Sequence, residues 1–399
     1  MNLDKLKSIE DVDVSGKTAL VRADLNVPVQ DGKVSDATRL TRVLPGLKAL
    51  AGRGAKVVVL SHFGRPEGER KPEMSLRPVA EELAHLAGQP VYFADDCIGP
   101  AAGQAVAGLA GGDVLVLENL RFHAGEENND ADFIAALAKL GDIYVNDAFS
   151  AAHRAHASTE GLAHMLPKYA GPLMMEEIDA LRSALDNPAR PTAAVVGGAK
   201  VSSKITVLTN LVSKVDHLII GGGMANTFLL AQGVSVGASL AEPEQKGTVL
   251  EILAKARDSG CAIVLPTDGV VAERFAAGAA HREIAIERVG TAEMILDVGP
   301  QSVARMTGLL AACRTLLWNG PLGAFEIEPF GAGTFALAKA AADLTRAGRL
   351  ATIAGGGDTV AALNTAGVTD DFTYVSTAGG AFLEWLEGRE LPGVAALAR

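Results

Sequence analysis

The sequence lacks the features that mark secreted, disulfide-stabilised or membrane-spanning proteins. It has only 3 cysteines in 399 residues (Cys97, Cys261 and Cys313), and none of them forms a CxxC pair. This argues against a disulfide framework and a cysteine zinc site, and it is typical of a reducing compartment. No apolar run approaches the roughly 18 residues that a membrane-spanning helix needs. The first residues, MNLDKLKSIEDVDVSGK, are too polar for a signal or transit peptide. We therefore predict a cytoplasmic protein.

The chain also lacks a surplus of positive charge. Its 36 Lys and Arg residues are outnumbered by 47 Asp and Glu residues, which gives a formal net charge of −11. Domains that bind nucleic acid usually carry a basic surplus, so we expect no nucleic-acid partner. Any anionic ligand must instead be held by a local group of cations.

Three familiar nucleotide-binding signatures are missing. The sequence has no GxxxxGK[ST], which excludes a P-loop enzyme, and no GxGxxG, which disfavours a dinucleotide-binding fold. The HRD and DFG motifs of protein kinases are absent as well. A nucleotide, if one binds, must be held by a different loop arrangement.

The sequence does contain a regular alternation of short β-branched runs and helical patterns, which predicts parallel sheets with helices on both faces. A chain of this length exceeds what one hydrophobic core usually supports, so we predict two such doubly wound domains. The segment GPLMMEEIDALRSALDNPARP reads as a helix that joins them, with turn signals at both ends. Predicted strands are 18–22, 57–60, 91–93, 114–117 and 143–145, then 193–196, 217–220, 262–265, 315–318, 351–354 and 373–375. Predicted helices are 37–51, 76–87, 131–140, 173–185, 202–212, 224–231, 244–256 and 332–342.

Charged and polar residues follow the strands of the first half. In VVVLSHFGRP, for example, His62 and Arg65 come directly after a buried strand. Like charges at one sheet edge repel unless an anion lies between them, and the arginine fork fits both carboxylate and phosphate. We expect a small ligand that carries both groups. The residues at these strand ends are Arg22, Asp24, Asn26, Arg39, His62, Gly64, Arg65, Arg121, His123, His153, Arg154 and His156.

Other interpretations of these residues remain open. His153 and His156 are as easily structural donors in an ordered loop as ligand contacts, although the missing HExxH disfavours zinc. Asp24 and Asn26 could simply cap a turn.

The strand ends of the second half carry glycines instead: GGAKVSSK, GGGMANTF, NGPLGAFE and AGGGDT. A glycine run before a helix lets backbone N–H groups approach phosphate oxygens, and the helix dipole favours the anion. Lys200 and Lys204 add positive charge, and Asp358 is available to Mg²⁺. The second half is therefore predicted to bind a nucleotide polyphosphate.

Together these motifs resemble the phosphoglycerate kinase family. The segments VRADLNVPV, LSHFGRP, LENLRFH, VNDAFSAAHRAH, GGAKVSSKI, GGGMANTF, LWNGPLGAFE, AGGGDT and LEGRELPGV occur in order from Arg22 to Val394. The resemblance implies two Rossmann-like domains, with 3-phosphoglycerate or 1,3-bisphosphoglycerate on residues 1–172 and Mg-ADP or Mg-ATP on residues 188–390. Residues 173–187 would form the helix between them, and the tail from about 391 to 399 would pack on the first domain.

The resemblance also implies roles for individual residues. The substrate positions are Arg22, Asp24, Asn26, Arg39, His62, Phe63, Gly64, Arg65, Arg121 and Arg154. The nucleotide positions are Lys200, Lys204, Gly299, Asn319, Glu326, Gly355, Gly356, Gly357, Asp358 and Thr359, with Asp358 as the Mg²⁺ ligand. Arg39 and Lys200 are assigned to catalysis, Arg39 at the attacking carboxylate and Lys200 at the transferring phosphoryl group.

The chemistry implied is reversible in-line phosphoryl transfer between 1,3-bisphosphoglycerate and ADP, by a monomer whose domains close around both ligands. The acceptor carboxylate has an ordinary pKa of about 4, so it is already ionised and needs no general base. Hinges are expected near 171–172, 187–188 and 376–380. Two residues depart from the family pattern, Gly269 and Ala378, and could alter closure or stability. The rival functions are an NAD-dependent dehydrogenase and a catalytically silent anion-binding protein.

Overall fold

The structure is a computed structural model that describes residues 3–398. The chain forms two compact units: one contains the residues up to Ile178 together with those from Glu390 onward, and the other is Asp179–Arg389. Within residues 3–398, no helix combines the length and the apolar composition that crossing a membrane would require.

The first unit is built on a six-stranded parallel sheet. Its central strands are apolar throughout because both faces are covered by helices, and Leu20 and Val58 are completely buried. The order in the sheet is β5-β6-β4-β1-β7-β8, and a separate hairpin pairs β2 with β3. The strands are β1 Thr18–Arg22, β2 Val29–Gln30, β3 Lys33–Val34, β4 Lys56–Leu60, β5 Tyr92–Ala94, β6 Val114–Leu117, β7 Ile143–Asn146 and β8 Lys168–Ala170.

Local chemistry sets the ends of the helices around this sheet. Asp130 caps one helix by accepting a hydrogen bond from the Phe133 N–H at 2.9 Å. Gly88 ends another in the left-handed region, at φ 65°, where glycine pays no steric cost. The helices of this unit are α1 Thr38–Gly52, α2 Arg77–Ala87, α3 Gly99–Ala107, α4 Ala124–Glu127, α5 Ala131–Ala138, the start of α6 Pro172–Leu185, and α14 Pro392–Ala398.

The second unit repeats the architecture with a second six-stranded parallel sheet, in the order β11-β10-β9-β15-β16-β17. The predicted fold class, two doubly wound α/β domains, is therefore confirmed. The strands of this sheet are β9 Thr192–Val196, β10 His217–Ile220, β11 Ala262–Val264, β15 Thr315–Asn319, β16 Ala351–Gly355 and β17 Tyr374–Ser376. The helices are α7 Ile205–Leu211, α8 Gly222–Ala231, α9 Lys246–Asp258, α10 Pro300–Ala312, α11 Ala332–Arg346, α12 Gly357–Ala366 and α13 Gly379–Leu386.

A three-stranded antiparallel sheet, absent from the sequence prediction, lies between α9 and α10 in the chain. It consists of β12 Asp268–Ala272, β13 His281–Ala285 and β14 Met294–Val298, in the order β13-β12-β14. The outer strand β13 is largely exposed and polar, so it carries no apolar run to indicate a strand. Gly269 lies on the middle strand, where an added Cβ would come within 3.0 Å of Ile295. A β-branched residue there would need its neighbours to move.

The second departure, Ala378, is buried but has a backbone conformation that any L-residue can adopt. It precedes α13 at φ −85°, and its N–H donates to the Ser376 hydroxyl at 3.1 Å. The residue that needs glycine is the next one, Gly379, at φ 36°. Alanine at 378 therefore introduces no backbone strain at the start of this helix.

Candidate active site

The strand order of each sheet marks where a ligand is expected. In the first sheet β1 lies between β4 and β7, and the chain moves to one side of β1 before it crosses to the other. In the second sheet β9 lies in the same way between β10 and β15. Open α/β sheets bind ligands at the carboxyl ends of the strands beside such a switch point. Each unit therefore has one favoured site, and the predicted residues cluster there.

In the first unit, Gly64 links residues from three strand ends. Its N–H donates to the Asn26 side-chain carbonyl at 3.0 Å, and its own carbonyl accepts from the Arg121 guanidinium at 2.8 Å. Gly64 has φ 60°, a conformation that glycine adopts without strain. The loop after β4 thus fixes the side chains of both Asn26 and Arg121 through hydrogen bonds to Gly64.

Arg39 lies in the first turns of α1 and points back to the loop after β1. Its Nη1 donates to the Asn26 backbone carbonyl at 2.5 Å and lies 3.4 Å from the Asp24 carboxylate. Asp24 is held in turn by the Ser150 hydroxyl at 2.6 Å. More than a third of the Arg39 side chain remains exposed, so its guanidinium is both oriented and accessible.

Two further arginines of this edge are exposed. Within residues 3–398, the guanidinium groups of Arg65 and Arg154 donate no hydrogen bond to another protein group. Arg121 is almost buried, and its Nε lies 3.3 Å from the Glu127 carboxylate. Exposed and unengaged donors beside an oriented one form a cradle that an anion can complete.

Two histidines at this edge, His62 and His156, are held neutral. Burial and the neighbouring Arg121, Arg22 and Arg154 lower the pKa of His156 to about 4. Burial, with Arg22 next in size, lowers the pKa of His62 well below its ordinary value. His123 instead contacts the Asp96 carboxylate through its Nε2 at 2.7 Å.

In the second unit, Lys204 is anchored at the switch point itself. Its ammonium donates to the Gly197 carbonyl at 2.8 Å and to the backbone and side-chain carbonyls of Asn319 at 3.1 and 2.7 Å. Burial lowers the pKa of Lys204 to about 8, although the nearby Asp358 carboxylate opposes the shift. Lys204 therefore joins the loops after β9 and β15.

Lys200 differs from Lys204 in both exposure and partners. It is exposed, and within the described residues its ammonium makes no hydrogen bond. The short turn between the two lysines, Val201–Ser203, is fixed by Glu242, which accepts from the Ser202 N–H at 3.0 Å and from the Ser202 hydroxyl at 2.5 Å. The ammonium of Lys204 is thus fixed by hydrogen bonds, whereas Lys200 starts from an ordered turn and its ammonium makes no hydrogen bond within the described residues.

The glycines of the second unit allow backbones to meet. A Cβ on Gly197 would lie 1.8 Å from the Pro321 carbonyl oxygen. At the start of α12, Gly356 takes φ 98°, and Asn319 donates to the Gly355 carbonyl at 2.8 Å. The first turn of α12 then presents free N–H groups together with the exposed Asp358 carboxylate.

A cavity of about 470 Å³ opens beside these loops. It is lined mostly by apolar and glycine residues, and of the predicted nucleotide residues it includes Glu326 and Asp358. Gly299 is outside the lining and follows the lining residue Val298. A Cβ added at Gly299 would lie 2.3 Å from the Asp268 carboxyl group. The volume of the cavity is in the range of small-molecule binding sites.

Sequence reasoning missed most of the apolar lining. Leu229, Leu240, Phe275, Met294 and Leu296 line the cavity, and several of these come from the antiparallel sheet or the segments around it. The GGGMANTF motif was a signal for α8, but apolar positions on a short strand carry no ligand signature of their own.

Nearly the whole chain is similar to known phosphoglycerate kinases, both in sequence and in structure. The family model described as "Phosphoglycerate kinase" matches residues 9–389. The phosphoglycerate kinase of Zymomonas mobilis is 62% identical over 392 residues, which cover 98% of this chain and 99% of the relative. That of Rhizobium meliloti is 61% identical over 389 residues, covering 97% and 98%. The solved structure of phosphoglycerate kinase from Coxiella burnetii superposes with a TM-score of 0.92 at 43% identity and covers 98% of both chains.

Proposed function

Because the chain belongs to the phosphoglycerate kinase family, we propose that its two units divide the substrates of the family's reaction between them. The protein is a phosphotransferase of glycolysis that moves a phosphoryl group reversibly between 1,3-bisphosphoglycerate and ADP, giving 3-phosphoglycerate and ATP. One observation supports this division. Arginines and histidines cluster at the carboxyl edge of the sheet in the first unit, whereas glycine-rich loops with two lysines cluster at the carboxyl edge of the sheet in the second unit.

The first unit would bind the phosphoglycerate. Arg65, Arg121 and Arg154 offer donors for the ester phosphate, and the Asp24 carboxylate and the Asn26 amide are suited to a hydroxyl nearby. Arg39 would bind the carboxylate that attacks, since its guanidinium is oriented by Asn26 and still exposed. Bidentate contacts of this kind supply both charge and direction.

The second unit would bind the nucleotide. The 470 Å³ cavity offers apolar contacts for a base and a ribose, and Lys204 with the start of α12 suits the phosphates. Asp358 fits Mg²⁺, because it is an exposed carboxylate in that first turn and hard oxygen ligands are what this ion prefers. When bound, Mg²⁺ would neutralise charge on the phosphate oxygens.

The chain's own contribution is to position and to stabilise charge. Two ligands on separate units react only when the phosphoryl group and the carboxylate come within about 3–3.5 Å. We therefore propose that the units close when both ligands are bound, with hinges near 171–172, 187–188 and 376–380. Small-angle scattering at saturating ligand should give a smaller radius of gyration for the ternary complex than for either binary complex. An unchanged radius throughout would remove this part of the proposal.

Replacing Asp358 by asparagine tests the assignment of the nucleotide side. The change keeps the size of the side chain but removes its negative charge, so the affinity for Mg-ADP should fall about 10-fold, while that for 3-phosphoglycerate stays within about 2-fold. Calorimetric titration of both ligands measures this. Asp370→Asn, an exposed aspartate of the same unit, is the matched control and should change neither affinity. Equal losses of both affinities in Asp358→Asn would contradict the assignment.

The pKa of Lys204 makes nucleotide binding depend on pH. In the free protein the ammonium loses its proton near pH 8, and polyphosphate binding favours the charged form. Binding at that pH should therefore take up a proton, and affinity should fall as the pH rises through about 8. Calorimetry in two buffers of different ionisation enthalpy measures the uptake. Lys204→Arg stays protonated and should show none; uptake of equal size in that variant would assign the proton to another group.

We also propose, on the basis of its composition, that the protein is cytoplasmic and has no nucleic-acid or membrane partners, and, on the basis of the family resemblance, that it is a monomer. Membership of the phosphoglycerate kinase family excludes the alternative function of an NAD-dependent dehydrogenase. A coupled assay with 3-phosphoglycerate and Mg-ATP excludes the silent-binder rival if it records turnover.

A further inference from the structure

Arg22 is buried too deeply to contact a ligand directly, and each nitrogen of its guanidinium already contacts a protein group. The residue is only 1% exposed, and all three of its side-chain nitrogens are engaged. Nε donates to the Ser158 hydroxyl at 2.8 Å, Nη1 to the Ala23 carbonyl at 2.7 Å, and Nη2 lies 3.0 Å from Nδ1 of His62. Any effect that Arg22 has on an anion at the sheet edge through hydrogen bonds must therefore pass through one of these partners.

The contact with His62 determines how that imidazole is protonated. A guanidinium has donors and no acceptor, so Nδ1 of His62 must be the acceptor and carry no hydrogen. The neutral ring then carries its hydrogen on Nε2. Burial opposes a second proton on this ring most strongly, followed by the charges of Arg22, Arg121 and Arg39, and the titratable His156 also faces the ring. His62 is partly exposed, so the Nε2–H is available to a ligand.

The buried carboxylate of Glu126 is linked to Arg22 through the hydroxyl of Ser158. The Ser158 hydroxyl accepts a hydrogen bond from Arg22 and donates one to Glu126 at 2.6 Å, and the Ser158 N–H donates to the other Glu126 oxygen at 3.0 Å. Glu126 and Ser158 are both completely buried. Tyr144 fixes the same segment by donating to the Ser158 carbonyl at 2.6 Å. The Ser158 hydroxyl thus accepts from Arg22 and donates to Glu126, and both Glu126 oxygens accept, so the donor and acceptor roles along the series are consistent.

We propose that Glu126, Ser158 and Arg22 are positioning residues that lock His62 in its neutral Nε2–H form, so that Arg22 acts on the phosphoglycerate only through His62. The lock gives the site a directed donor without adding another positive charge among the arginines. The identity of the anion rests on the proposed function, whereas the tautomer belongs to the ligand-free protein.

The tautomer can be measured directly, without any ligand. Long-range ¹H–¹⁵N correlation spectra of ¹⁵N-histidine-labelled protein separate the two ring nitrogens, and His62→Phe assigns the signals. We expect His62 to show a bare Nδ1 and a protonated Nε2, unchanged from about pH 8 to about pH 5, the range in which an ordinary histidine titrates. A protonated Nδ1, or an imidazolium at about pH 6, would overturn the proposal whatever the enzyme's activity.

Arg22→Met tests whether Arg22 causes the lock. With the donor and the positive charge removed, His62 should show both tautomers, and its pKa should rise toward the ordinary value. The matched control is Arg53→Met, because Arg53 lies in the same unit and donates to the backbone carbonyl of Ile9 at 3.2 Å. The His62 signals should be unchanged in that control. Unchanged His62 signals in Arg22→Met would overturn the causal role of Arg22.

A double-mutant cycle tests whether Arg22 acts through His62. His62→Phe should weaken 3-phosphoglycerate binding about 10-fold, the size expected for a hydrogen bond to a charged group. Arg22→Met should weaken it less, because part of the His62 population still carries the Nε2–H. The double variant should be about as weak as His62→Phe alone, because Arg22 acts only through the ring that this change removes. A loss of about 100-fold in the double variant would mean that Arg22 contacts the ligand independently, and the proposal would fail. If no variant or wild-type protein bound 3-phosphoglycerate, the proposed function would fail while the tautomer result still stood.

Discussion

Arg39→Ala should lower kcat for the phosphorylation of 3-phosphoglycerate by about 100-fold or more, the usual cost of losing one preorganised donor at a transition state. The guanidinium is held by the Asn26 carbonyl and lies beside Asp24, so it meets the carboxylate in a fixed direction. Steady-state kinetics in a coupled assay measures the effect. Arg39→Lys should recover little of the rate, because an ammonium keeps the charge but loses the planar fork.

The matched control for Arg39 is Lys48→Ala, which removes an exposed positive charge from the same helix, α1. Its kcat should stay within about 2-fold of wild type, since exposed charges far from the reaction act weakly through solvent. If Arg39→Ala kept near-normal kcat and raised only KM, Arg39 would be a ground-state binding residue and not a catalytic one.

Lys200→Ala should also lower kcat by about 100-fold or more while changing the affinity for Mg-ADP by less than about 3-fold. The reason is its free ammonium: Lys204 is tied to three carbonyl oxygens, whereas Lys200 stands exposed on a turn fixed by Glu242. A free end on a rigid base can follow the phosphoryl group as charge develops on it. Kinetics paired with calorimetry separates the two effects.

Lys339→Ala, an exposed lysine on α11 of the same unit, is the control for Lys200 and should behave as wild type. If Lys200→Ala instead weakened Mg-ADP binding as strongly as it lowered kcat, Lys200 would bind the nucleotide's resting phosphates. The roles given to the two lysines would then need to be exchanged.

The sequence alone was sufficient for the fold class and for the positions of the cations. Fully buried parallel strands such as Lys56–Leu60 are nearly continuous apolar runs, and this signal is local because both faces of the strand meet the same environment. Residues that directly follow such runs, His62 and Arg65 among them, must lie at one edge of the sheet. Their chemistry could therefore be inferred before any contact was known.

The tertiary structure decided what each of those residues can do. Arg22 and Arg65 look alike in the sequence, as arginines near the carboxyl ends of strands. Arg22 is nevertheless buried against Ser158, 136 residues away in the chain, while Arg65 is exposed. Lys200 and Lys204 differ in the same way, since the Asn319 carbonyls that hold Lys204 lie 115 residues further along. Local sequence determines where a side chain leaves the backbone. Whether its donors remain free depends on groups that only long-range packing brings within 3 Å, because hydrogen bonds need short distances and set directions.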